Sequence, residues 1–124
     1  MNNPEVTMRD PLSSTGFDAQ DKATRAAAIA ISLVMRVPAP LKPIADQVIR
    51  SASSVPANLA EGRGRSGRDR FHHWRIAYGS AREVDIHLRL LLGAGAIDPL
   101  KADSSLQLFD DVRAITWRLL HPNK

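Results

Sequence analysis

From residue 18 onward, apolar side chains recur at three- and four-residue steps, and no stretch alternates in the two-residue rhythm of a strand. The spacing predicts four helices. The first is alanine-rich, starts at Asp18 or Asp21 as N-cap and runs to about Val37. Pro38, Pro40 and Pro43 then forbid continuation and require an extended link, with Pro43 also compatible with the first turn of the next helix. The second helix spans roughly Leu41 to Ala60 and buries Ile44, Ala45, Val48, Ile49, Ala52 and Val55 along one stripe. Pro56 lies inside it, so a kink is expected there, with Ser53 and Ser54 helping to satisfy the freed carbonyls.

Gly62, Gly64 and Gly67 read as the end of that helix and the following turn, and Ser66 with Asp69 reads as a capping box. The third helix runs to about Leu92, with Phe71, Trp74, Tyr78, Ala81, Leu88 and Leu92 on one seam. Ile76, Ile86 and Leu90 lie off that seam, and a helix apolar on more than one side is expected to be covered on more than one side, which points to self-association. Asp98-Pro99 is a start signal for the fourth helix, which carries Leu106, Phe109, Val112, Thr116 and Leu119 and ends near His121-Pro122. The reading is all-α: an antiparallel up-down four-helix bundle over residues 18–122, preceded by a mobile tail over residues 1–17.

Composition narrows the picture. At 124 residues the chain fits one domain able to bury a core, and aromatics at 5% favour helix over sheet. No cysteine is present, so a disulfide framework and a thiolate metal site are excluded. The N-terminal residues lack the apolar stretch of a signal peptide, and Ala26 to Met35 is too short to span a bilayer, so a cytoplasmic protein without membrane association is expected. Charge is unevenly placed. Between Arg50 and Arg89 eight arginines face only Glu61, Asp69, Glu83 and Asp85, a local net of +4, while the remaining nine basic and nine acidic residues cancel. A local arginine excess fits an anionic partner, because the planar guanidinium pairs phosphate bidentately and stays charged.

The densest part is the turn between the second and third helices. Arg63, Arg65, Arg68, Arg70 and Arg75, interleaved with His72, His73 and Trp74, lead into a helix N-terminus. That set suits RNA or DNA phosphates with base stacking; the alternative is a solvated turn whose arginines pair with carboxylates or with the next subunit. Gly62-x-Gly64-x-x-Gly67 matches a dinucleotide fingerprint in letters only, since no strand precedes it. Asn58, Glu61, Ser80 and Glu83 are expected to face one another as a structural polar network with a buried carboxylate, and Gly79 to mark a close approach of helix 2. The histidines lack metal-ligand spacing, and nothing positions a second group beside His72 and His73 for acid–base cleavage, so neither a metal, a cofactor nor a catalytic residue is assigned.

The run S-S-V-P-A-N-L-A-E-G, followed by I-A-Y-G-S-A-R-E, resembles the bacterial four-helix-bundle proteins encoded within intervening sequences of 23S ribosomal RNA genes. The accessory variability determinant proteins of diversity-generating retroelements belong to the same superfamily. Gln47, Ser54, Pro56, Asn58, Ala60, Glu61, Gly62, Ala77, Gly79, Ser80 and Glu83 occupy the motif positions, and Ser51-Ala52 replaces the usual Arg-Ala pair, with Arg50 one position earlier. The likeness covers about residues 35–97; the first helix lacks the usual aromatics, the tail is longer and the turn richer in arginine. It implies a ring-like homopentamer with a basic surface, no enzymatic activity, and nucleic acid or a reverse transcriptase as partners. The alternative is a protein-interaction scaffold with no nucleic-acid role.

Overall fold

A computed structural model describes residues 15–122. Among these residues four α-helices and one 3₁₀ turn are the regular elements: α1 (Asp18–Val34), the 3₁₀ turn (Ala39–Leu41), α2 (Lys42–Arg63), α3 (Gly67–Gly93) and α4 (Pro99–Leu120). Most of the tail expected over residues 1–17 lies outside the described residues. Its last three do not belong to a tail: Thr15 donates its backbone N–H to Asp21 at 3.0 Å, and the Phe17 ring packs on Trp74 at 5.9 Å.

The helix starts follow their local chemistry unequally. Asp98 accepts the Lys101 N–H at 2.9 Å and Pro99 occupies the first turn, so the fourth start is capped as expected. Neither Asp18 nor Asp21 caps α1. Phe17 holds the N-cap position and Asp21 accepts from Thr15, drawing the preceding chain back onto the first turn. Ser66 caps α3 by position only; its hydroxyl makes no cap bond, and Asp69 is taken by Arg65 instead. Between α1 and α2 the prolines form a 3₁₀ turn rather than an extended link, and Pro43 sits in the first turn of α2.

α2 passes through Pro56 as one helix. The neighbouring hydroxyls do not serve the carbonyl freed by the proline. Ser53 donates to the Ile49 carbonyl at 2.8 Å, and the Ser54 hydroxyl accepts from the Asn58 amide and meets Ser80 at 2.9 Å.

Each helix packs on two others: α1 on α2 and α4, and α3 on α2 and α4, with the α2–α3 interface the most extensive. The centre is filled by Leu59, Leu88, Leu91 and Phe109, all fully buried, with valines from α2, α3 and α4 around them. α1 contributes Ala19, Ala23, Ala26, Ala27 and Ala30, whose small side chains let α4 come close enough for Ser105 to donate to the Ala26 carbonyl at 2.9 Å. The fourth helix buries Leu106, Phe109, Val112 and Thr116 as its periodicity requires.

Candidate nucleic-acid interface

The α2–α3 turn is built around Trp74. Its indole donates to the Leu59 carbonyl at 3.3 Å and lies against Gly62, where a Cβ would stand 2.5 Å from the ring. Gly62 is therefore a buried helical residue beneath an aromatic ring, not part of the turn. Only Gly67, at φ +60°, takes a backbone conformation that a side chain would disfavour here. The turn is thus fixed by an aromatic lid and one left-handed residue, and no phosphate-cradling strand–turn–helix exists.

Most of the arginines at this turn are committed within the chain. Arg63 donates to the Thr15 carbonyl at 2.9 Å and lies 5.5 Å over the Phe17 ring. Arg70 donates to the carbonyls of Gly62 and Arg63, both at 3.0 Å, and lies 5.3 Å over Trp74. Arg65 joins Glu61 at 2.8 Å and Asp69 at 2.7 Å. The Arg65 hydrogen bond holds the Asp69 carboxyl below its ordinary range, and Asp69 and then Glu61 push the Arg65 guanidinium up. These three arginines neutralise the helix end and its carboxylates.

Arg68, His72 and Arg75 differ. All three are exposed, and Arg68 and Arg75 form no ion pair among the described residues. His73 turns inward, its Nδ1 3.0 Å from Asn58 Oδ1, with the tautomer set by that contact. Of the seven residues expected to meet nucleic acid, the geometry leaves three open to a ligand and gives four a partner inside the chain.

One contributor was legible in the sequence and overlooked. Arg68, Arg75, Arg82 and Arg89 recur every seven residues, which on a helix is one column with steps of about 10.5 Å. Arg89 is bound to Asp85 at 2.7 Å, which pushes its guanidinium up, whereas Arg82 is exposed and without an ion pair among the described residues. The open positive charge therefore runs along α3 rather than gathering at the turn.

The polar motif residues are only partly gathered. Ser54, Asn58, Ser80 and His73 form a hydrogen-bonded seam between α2 and α3, with Asn58 donating to the Ser54 carbonyl at 3.0 Å and Pro56 half-buried beside it. Glu61 and Glu83 are not in it. Both carboxylates are exposed, so the buried carboxylate expected here does not form; an ionised side chain is better solvated than enclosed by hydroxyls and one amide. Gly79 is also exposed, with nothing within 4 Å of a would-be Cβ, and the close approach expected there is made at Gly62. No group of three or more histidines and carboxylates able to hold a metal occurs among the described residues. No described helix is long and apolar enough to cross a membrane.

No curated protein matches the chain. Among solved structures, a protein of unknown function from the S23 ribosomal protein family of Bacteroides thetaiotaomicron is similar at a TM-score of 0.69 and 20% identity. The match covers 82% of this chain and 97% of that one, a likeness of fold. The family model described as 23S rRNA-intervening sequence protein matches residues 17–118, which takes in all four helices almost whole, so the chain belongs to that family.

Proposed function

We propose that this chain is a non-enzymatic, cytoplasmic helical bundle that works as a homo-oligomer and binds RNA or DNA through phosphates. Its helices are read as antiparallel and up-down. That reading is supported by the α2–α3 pairs Gly62–Arg70, Asn58–His73 and Ser54–Ser80, in which the numbers fall along one helix as they rise along the other. A ring-like pentamer is the assembly implied by the family resemblance. The observation that carries the nucleic-acid reading is the exposed column Arg68, Arg75 and Arg82, left without carboxylate partners in a chain whose whole charge excess lies in this region. Unpaired guanidinium groups about two turns of α-helix apart, or about 10.5 Å, suit a string of phosphates rather than a single small anion.

Binding carried by phosphates falls steeply with salt, by about 0.9 in log–log slope for each duplex phosphate neutralised. Titration of labelled RNA and DNA at two salt concentrations should therefore show salt-sensitive binding. Arg68→Ala with Arg75→Ala should weaken it and flatten the slope by about two phosphate contacts, roughly 1.8 on duplex. Unchanged binding in that double variant rejects the assignment. Arg65→Ala serves as a control, since Arg65 is committed to Glu61 and Asp69.

A second reading, a protein-interaction scaffold with no nucleic-acid role, is favoured by one observation. Ile76, Ile86 and Leu90 are 38%, 52% and 51% exposed on α3. The same titration separates the two, because a scaffold of this kind leaves nucleic acid unbound at any salt.

A further inference from the structure

Between α3 and α4 lies a shallow groove of about 440 Å³ whose walls include Tyr78 from α3 and Asp110, Arg113, Trp117 and Arg118 from α4. None of its α4 residues belongs to the turn. Trp117 is the only tryptophan at the surface, 44% exposed, whereas Trp74 is buried at 7%. One face of the Trp117 indole is already in a stack: the His121 ring lies 4.0 Å away at an interplanar angle of 23°. His121 is held there by a 2.7 Å contact from its Nδ1 to the Trp117 carbonyl. The indole is thereby oriented by the end of its own helix while it borders the groove.

The electrostatics of the groove are one-sided. Asp110 is bound to Arg113, which also lies 4.0 Å from Asp85, so that carboxylate is already neutralised. Arg118 is exposed and without an ion pair among the described residues. On the α3 wall, Tyr78 stands three residues after Arg75 and four before Arg82, so both unpaired arginines flank the phenol along the helix face. A wet aromatic surface framed by three uncompensated guanidinium groups is the arrangement that holds single-stranded nucleic acid: charge follows the backbone while a base lies on the ring. A duplex cannot use it, because its bases are already stacked on one another.

We infer that the α3–α4 groove is a stacking site for an unpaired base, with Trp117 and Tyr78 as the platform and Arg75, Arg82 and Arg118 on the flanking phosphates. The inference rests on the nucleic-acid reading above and adds to it a preference for unpaired over paired strands. Two further aspects of the groove agree with it. The site needs no base-specific donor, so it is tolerant of sequence, and Arg75 and Arg82 of the open column stand three and four residues from its Tyr78, so one strand can engage both.

The test is the Trp117 share of tryptophan emission, taken as the difference between the full chain and its Trp117→Phe variant, during titration with a short oligouridylate, beside a blunt RNA duplex of equal length, at low salt. The single strand should quench the emission and bind more tightly than the duplex. Trp117→Ala should weaken single-strand binding at least about tenfold, in line with the loss of one base stack, and leave duplex binding unchanged. Trp117→Phe, which keeps a ring, should retain most of the affinity; a helical circular dichroism spectrum in both variants shows that the bundle is intact. Single-strand binding by Trp117→Ala equal to the parent overturns the stacking site while leaving the phosphate reading in place. Absence of binding to either oligonucleotide by the parent protein overturns both.

Discussion

Gly62 and Gly79 show how much depends on one missing Cβ. At Gly62 the absent atom would meet Trp74 at 2.5 and 2.6 Å and the Arg70 carbonyl at 3.0 Å, so neither ring nor backbone has room to yield. Gly62→Ala should therefore cost about 1–3 kcal/mol, even though alanine is the better helix former by about 1 kcal/mol. At Gly79 the same atom would enter open solvent, and the propensity gain stands unopposed within one protomer. Urea unfolding of the two variants, run in parallel, checks the pair: Gly62→Ala should lower the midpoint and Gly79→Ala should not. Sequence reasoning reversed these roles, because a glycine beside a turn reads as a turn residue and a glycine inside a helix reads as a contact. Nothing in the letters reveals that Trp74, twelve positions away, folds back over Gly62. The same limit applies to the arginines. Arg65 stands four residues from both Glu61 and Asp69 but lies in the turn between their helices, so its pairing with them, like the reach of Arg70 to the carbonyls of Gly62 and Arg63, is set only once the turn is closed.

At the scale of the elements, the four helices were legible because their period, prolines and glycine stops agree with one another. α1 stops at Val34 rather than Val37, and α2 runs on to Arg63 past Ala60, because Gly62 is held in the helix by the packing of Trp74. Caps were the weaker part. A cap needs both the right residue and a side chain free to turn inward; Asp98 meets both conditions and Ser66 only the first. Asp98→Ala should accordingly destabilise the bundle by about 1 kcal/mol, within the 0.5–2 kcal/mol span of lost caps. Ser66→Ala should fall below about 0.5 kcal/mol, since no cap bond is lost and surface changes of that kind are small. Thermal unfolding resolves the difference, and equal losses would mean that the Ser66 hydroxyl closes on the helix in solution.

For the molecule as a whole, α3 presents a face that the other helices leave uncovered. Ile76, Gly79, Glu83, Ile86 and Leu90 follow one another at three- and four-residue steps, so they form a single stripe, and all of them are exposed. Its apolar members cannot be reached by α1, α2 or α4, which already cover the opposite side through Trp74, Ala77, Ala81, Val84, Leu88 and Leu91. The charged column Arg68, Arg75 and Arg82 borders the stripe on the same helix, so assembly and nucleic-acid binding would share α3 while using different side chains. Burial of a large aliphatic side chain contributes about 1.5–3 kcal/mol when complete, and about half that from the exposure seen at Ile86 and Leu90. Losing both should raise the dissociation constant of each subunit contact by at least about tenfold, since every 1.4 kcal/mol is a factor of ten. Ile86→Lys with Leu90→Lys should thus lower the native mass measured by light scattering, while the helical spectrum and the cooperative melt persist because neither side chain is in the core. An unchanged native mass would place the subunit contact elsewhere, and a monomeric parent protein would remove it altogether. If the variant is monomeric yet still binds nucleic acid through Arg75 and Trp117, the two uses of α3 are separable; if binding falls by far more than those side chains supply, the bundle engages its ligand through several copies at once.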